Sequence, residues 1–349
     1  MKSVRQYVIN ITLIISITMI AMYFSLKDNF SLIVDSIMQM NSLILLVCLA
    51  WGILITVVWG YSYKVITQRY QKNYSFLKGI VVAFVGTFFN GITPSATGGQ
   101  FAQAYVLRKQ GISYGDGVSI LWADFIIYQT SLMIYVTLLF ILRFRHYTDL
   151  SAWGWIVGAG YLINLAVVVG LYTIALFPAF YTKLFDGLGN LLEKLHLLKN
   201  SAKTMENWKK QVSHFTYEVE KLSKDKVLIL KVFAINMVRL TLYFSLPYVI
   251  ALGLNIRLSP SDFIDVLALS SFVVMANSFI PLPGASGGTE VIFQILFYPL
   301  LGDLNPAVML LWRLSSYYVV VVLGAIVFIA FKGQNNMDEV NRLGSQEAT

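Results

Sequence analysis

Four ionisable side chains, Asp124, Arg239, Glu290 and Arg313, fall inside stretches that are otherwise apolar. A charge at mid-membrane costs about 2.5–3.5 kcal/mol on insertion scales, so each must face a cavity or a partner. Asp124 and Arg313 stand a fixed 189 positions apart (313 − 124) with opposite charge. Each lies roughly 12 Å into its stretch at about 1.5 Å per residue. One chemistry open to this set is capture of an anionic phosphate by Arg313 and Arg239, with Asp124 and Glu290 accepting a cationic group or a proton. The other is a structural Asp124–Arg313 pair that fixes two halves of the molecule. Glu290 opens a helix after a glycine pair, where the helix dipole favours a carboxylate, so end-stabilisation accounts for it equally well.

The same offset relates two motifs. Pro94-Ser95-Ala96-Thr97-Gly98-Gly99 and Pro283-Gly284-Ala285-Ser286-Gly287-Gly288 both read Pro-small-Ala-hydroxyl-Gly-Gly (283 − 94 = 189). Proline ends a helix, and the glycine pair lets backbone pass close to a neighbour. Thr97 and Ser286 are expected to cap the helices that follow. Tight turns at a membrane surface are one reading. Two breaks in register, each within a long apolar region, point instead to the discontinuous helices that line transporter sites. Backbone N–H groups near Gly98, Gly99, Gly287 and Gly288 are then candidate donors to phosphate oxygens. Asn90, Gln100, Gln103, Asn236 and Asn277 are candidate polar lining, each weak alone.

Enzyme constellations are missing from the sequence. The three histidines (His146, His196, His214) form no His-Glu-x-x-His pattern, and there is neither a Walker A stretch nor a Gly-x-Ser-x-Gly elbow. The single Cys48 leaves no disulfide or thiolate metal site within one chain. No cofactor is expected.

The elements that position these residues follow from composition. The 349 residues are 57% hydrophobic and only 13% charged, with a mean hydropathy of +0.68, which excludes an ordinary soluble domain. Full spans are expected at about 7–26, 43–62, 116–142, 154–177, 227–252 and 305–331. The first is read as a retained span, since no small-x-small cleavage site follows it. Lys64, Arg69, Lys72 and Lys78 carry no acid among them, which makes that loop cytoplasmic and places the N-terminus inside. The net charge of +8 reads as positive-inside loops rather than nucleic-acid binding.

Between Gly79 and Pro94 the chain reaches only ~22 Å as a helix, short of a ~30 Å hydrocarbon core. A re-entrant pair ending at Arg108 and Lys109 is therefore expected. Ser113 with Asp116 reads as the N-cap of the next span, and Ser259-Pro260 and Asn305-Pro306 as later helix starts. Residues 179–226 are polar and rich in lysine, with Leu184, Leu188, Leu191, Leu195 and Leu198, then Val212, Phe215, Val219 and Leu222, at helical spacing. They read as one or two amphipathic helices on the cytoplasmic surface. The fold expected is an all-α polytopic membrane protein with about six full spans and two broken, re-entrant pairs. Residues 1–332 form one transmembrane domain, with repeat one at about 43–142 and repeat two at about 227–331 in opposite orientation. A cytoplasmic tail, 333–349, follows.

At the two motifs the sequence resembles the membrane region of the lysylphosphatidylglycerol synthase/flippase family, the bacterial multiple-peptide-resistance-factor type. The matching pieces are Phe88-Phe89-Asn90-Gly91-Ile92-Thr93-Pro94 through Gly98-Gly99-Gln100, and Ile280-Pro281-Leu282-Pro283-Gly284 through Gly287-Gly288-Thr289-Glu290. The resemblance covers about residues 5–332. Full-length members continue into further spans and a cytosolic aminoacyltransferase domain, so that activity is not carried over to a chain with a short tail. The resemblance implies translocation of a phosphate-bearing polar lipid, such as an aminoacylated phospholipid or lipid-linked sugar, in the plasma membrane. The implied partners are that lipid, with a separate lipid-modifying enzyme and a second copy of the chain as candidates. A secondary transporter of a small soluble anion, or a membrane enzyme acting on a lipid-linked sugar, are the alternatives.

Overall fold

The computed structural model describes residues 30–147, 154–181, 183–184, 201–277, 280 and 282–347. A short helix α1 (Phe30–Gln39) precedes α2 (Ser42–Thr67), whose first turn is capped by the Asn41 side chain accepting from the Leu43 N–H at 2.8 Å. The first broken pair is α3 (Phe76–Ile92) and α4 (Gly98–Lys109), joined by a 3₁₀ turn at Pro94–Ala96. The long α5 (Tyr114–Tyr147) opens with Ser113 and Asp116 bonded to each other, the cap the sequence predicts. Then come α6 (Gly154–Leu176), stopped just before Pro178, and α7 (Ser201–Ser223).

The second series runs in the same order. It comprises α8 (Lys226–Gly253), α9 (Asp262–Asn277), a 3₁₀ turn at Pro283–Ala285, and α10 (Gly288–Leu301). α11 (Asn305–Arg313) continues through a π-helical turn, Leu314–Tyr318, into α12 (Val319–Glu347).

Among the described residues, five helical segments are long and apolar enough to cross a membrane: Ser42–Thr67, Tyr114–Arg143, Val157–Ile174, Lys226–Gly253 and Pro283–Gln334. Large apolar side chains such as Leu46, Leu54, Leu138, Leu162, Leu230 and Ile329 face outward on them. In water such faces are unfavourable; in lipid they are the solvated surface. The protein is an all-α polytopic membrane protein. The span expected at 7–26 and the leucines from Leu188 to Leu198 lie outside the described residues. Through the polar stretch expected beyond Lys332, α12 continues as helix to Glu347. A lone Gly333 costs a helix only about 1 kcal/mol and does not stop it.

Packing is divided between two apolar clusters. One gathers Tyr63, Ile66, Tyr74, Val82, Val106, Leu107 and Ile120 with Leu222 and Leu228, at the end rich in lysine and arginine. There the two ends of the first broken pair meet. Gln110 Nε2 donates to the Lys78 carbonyl at 3.1 Å, and the Tyr74 hydroxyl bonds the Gln110 side chain. The pair is therefore a hairpin that returns to the end it left. The second cluster holds α9 and α10 with Met40, Leu254 and Leu301, and stacks Phe293 on Phe297 and Trp312. The 3₁₀ turns at the tips of the two hairpins pack on each other. At the far end Arg143 of α5 pairs with Asp265 of α9 at 3.2 Å and donates to the Ser261 carbonyl.

Candidate functional site

The two breaks share a backbone plan but differ in what surrounds them. In the first, Ser95 and Ala96 both hold positive φ (51° and 53°), a left-handed conformation that L-residues adopt at a cost. In the second, Gly284 (φ 59°) and Ala285 (φ 48°) take the same two places. Glycine is required at 284 for a further reason: a Cβ there would lie about 2.4 Å from the Tyr317 ring.

The first break is exposed and opens on a cavity of about 610 Å³. Of the residues singled out from sequence, Asn90, Thr97, Gln100, Gln103, Asp124 and Arg239 line it. Pro94 opens the turn and is exposed, whereas Gly98 and Gly99 stand behind it. Their N–H groups are not free for a ligand. Gly98 donates to Thr93 Oγ1 at 2.9 Å and Gly99 to Asn90 Oδ1 at 3.1 Å. The start of α4 is thus satisfied from the preceding helix, while Thr97 turns away to bond the Pro94 carbonyl instead of capping α4.

The second break is closed. Arg313 Nε donates to Glu290 Oε1 at 2.7 Å, with side chains only 6% and 1% exposed. The same guanidinium reaches the Gly284 carbonyl (3.1 Å) and Ser286 Oγ (3.4 Å) and lies over the Tyr317 ring at 4.5 Å. Glu290 Oε2 accepts from the Gly287 N–H at 2.7 Å, so the carboxylate, and not Ser286, completes the start of α10. Pro283 is buried, and Gly288 packs against Ile280. Tyr317 then ties the breaks together, its hydroxyl donating to the Gly91 carbonyl at 2.9 Å.

Two expectations are corrected by this geometry. Asp124 and Arg313 do not pair: the guanidinium is filled by the second break. The Asp124 oxygens accept instead from Trp59 Nε1 (3.0 Å) and Ser62 Oγ (3.3 Å). Nor do Glu290 and Arg313 present charge to the open cavity, because each neutralises the other. Asn236, a candidate for polar lining, is wholly buried with neither amide atom bonded among the described residues, and it does not line the cavity.

The cation that does face open space is Arg239. It lies over the Trp59 ring at 4.3 Å and the Tyr128 ring at 4.9 Å, and its guanidinium has no salt bridge among the described residues. A second cavity of about 250 Å³ lies on the other side of this stack. It shares Trp59, Tyr128 and Arg239 with the first and extends to Thr87, Asn277 and Ser316. Sequence reasoning missed the aromatic partners, although a signal existed. Tyr128 and Tyr317 obey the 189-position offset, each four residues after Asp124 or Arg313, and each sits against an arginine.

Broken helices meeting tip to tip beside a polar, arginine-bearing cavity define a helical membrane protein with a site built between two hairpins. The chain belongs to the family described as lysylphosphatidylglycerol synthase TM region, whose profile matches residues 9–324. No curated protein and no solved structure matches it. Family membership carries a membrane, lipid-related role.

Proposed function

We propose that this protein translocates a phosphate-bearing polar lipid between bilayer leaflets, and that it works as a transporter rather than as an enzyme. The observation that carries the reading is Arg239, a guanidinium held between two aromatic faces where two cavities meet, with no salt bridge among the described residues, although Asp124 of the same cavity acts on it electrostatically. A cation so placed is expensive in a membrane unless an anion visits it. Asp124, Asn90, Gln100 and Thr97 offer acceptors and donors around the same cavity, suited to an ammonium or hydroxyl-bearing headgroup. The Trp59–Arg239–Tyr128 stack is the barrier between the cavities, and the phosphate passes along it.

The arrangement of the hairpins supports an inverted repeat. Their ends pack in opposite clusters and their tips meet, with one break open and the other shut, as alternating access requires at any one moment. Positive-inside asymmetry supports a reading in which the Lys64–Lys78 end lies on the cytoplasmic side of the plasma membrane, with both termini inside. The open break then faces the cytoplasm. Glu290 and Arg313 act in this account as the clasp that shuts the second break.

The test is reconstitution into vesicles holding a headgroup-labelled phospholipid whose outer-leaflet copies are chemically quenched. Movement of phosphate-bearing lipid, with neutral diacylglycerol moved far less, is the expected result. Uptake of a soluble anion without lipid movement would overturn it in favour of an ordinary secondary transporter.

A further inference from the structure

A third space is unconnected with the central cavities and shares no lining residue with either. It is a groove of about 530 Å³ along the seam where α2 and α8 pack, near the end of the molecule that carries most of the cations. Its upper part is lined by Arg69 and Lys231, and the Lys64 ammonium lies 5.4 Å from the centre of the ring of Tyr61, which also lines it. Asp225 is the one acid in the lining, and it is already engaged. One oxygen caps the Leu228 N–H at 3.0 Å, and the other lies 3.9 Å from Arg69. Arg69 also donates to the Lys221 carbonyl at 2.9 Å, which holds its guanidinium in place. Lys231 is exposed and has no salt bridge among the described residues.

Below these charges the walls become apolar, with Tyr61 and Val65 on α2 and Ala234 and Ile235 on α8. Val227 and Leu230 beside it are 64% and 67% exposed, so the groove opens sideways toward lipid. From Val227 to Ile235 it runs roughly 12 Å at about 1.5 Å per residue. Cations at an interfacial end with an apolar trough beneath match one phosphate-headed lipid and not a free anion, which would leave the trough empty. Basic pockets between helices on the cytoplasmic side are suited to anionic headgroups.

We infer that the α2/α8 seam binds one anionic phospholipid that is not transported, its phosphate held by Lys231 with Arg69 and Lys64, and one acyl chain lying along Val65, Ala234 and Ile235. Because α2 and α8 open the two series of helices, that lipid bridges the halves.

Photoactivatable phosphatidylglycerol in vesicles containing the full chain tests this, with cross-linked peptides mapped by mass spectrometry. Labelling is expected on segments 61–69 and 225–235, competed by unlabelled phosphatidylglycerol and not by phosphatidylcholine. Lys231→Glu should reduce it at least about fivefold. Ala234→Trp, which fills the trough and leaves the charges in place, should reduce it as well. Arg239→Ala should leave it unchanged, which separates this lipid from one in the central cavity. Labelling abolished by Arg239→Ala, competed equally by phosphatidylcholine, or indifferent to both seam variants, would overturn the proposal.

Discussion

Glu290 and Arg313 form a buried ion pair with no other salt bridge among the described residues, which sets what substitution there does. Glu290→Gln strands a buried guanidinium and should lower stability by about 3–5 kcal/mol, read as thermal unfolding in detergent. The paired variant Glu290→Leu/Arg313→Met removes both charges and should recover most of that loss. Single variants that unfold like the parent would contradict the clasp. The charge of all four residues was legible in the sequence, because an ionisable side chain among apolar neighbours stands out. Their pairing was not. The 189-position offset suggested that Asp124 and Arg313 meet, yet equivalence under a repeat places residues at matching positions in two halves and does not bring them into contact. Glu290 won because it sits 23 positions from Arg313 at the same break, within one hydrogen bond.

At the scale of elements, the breaks are held by short-range bonds that the motif alone conceals. Proline and the glycine pair announced both turns, and the turns occur at the residues expected. After the first turn the Gly98 and Gly99 N–H groups expected to be free are occupied by Thr93 and Asn90, and after the second the Gly287 N–H is taken by Glu290. The Thr93 and Asn90 side chains stand five and nine residues back, and the fold of the hairpin brings them onto the turn. Among the described residues, Tyr317 supplies a hydrogen bond from beside the second break to Gly91, just before the first. A typical hydrogen bond contributes about 1 kcal/mol, so Tyr317→Phe should raise the labelling rate of a cysteine at Ser286 about fivefold if opening limits access. No change would show that the latch lies elsewhere. The π-helical turn that presents Tyr317 also carries the tightest helix contact. A Cβ at Gly52 would fall 1.9 Å from the Ser315 carbonyl oxygen, so Gly52→Ala must move backbone and should destabilise by about 1–3 kcal/mol. Unaltered thermal unfolding of that variant would contradict the close approach of α2.

For the whole molecule, the order of helices and the hairpin nature of the first broken pair were readable from apolar run lengths, since 15 residues cannot cross a bilayer. The opposite orientation of the halves was also expected from loop charge and run lengths, and the packing of one hairpin at the basic end and the other in the opposite cluster is in keeping with it. Which break stands open is a property of one state of the molecule, and no pattern in a single chain encodes it. In the orientation argued above, a cysteine at Ser95 should react with impermeant reagent from the cytoplasmic side, and one at Ser286 should be protected from both sides until the clasp opens. Labelling of both from one face would contradict opposed hairpins. The central claim rests on Arg239, and the most direct measurement compares Arg239→Ala with the parent in the vesicle lipid-movement assay, alongside thermal unfolding of each. A hydrogen bond to a charged group contributes about 1.5–3 kcal/mol, so phosphate-lipid movement should fall at least about tenfold while the variant stays folded, losing no more than the ring contacts contribute. Full lipid movement by a well-folded Arg239→Ala protein would contradict the account.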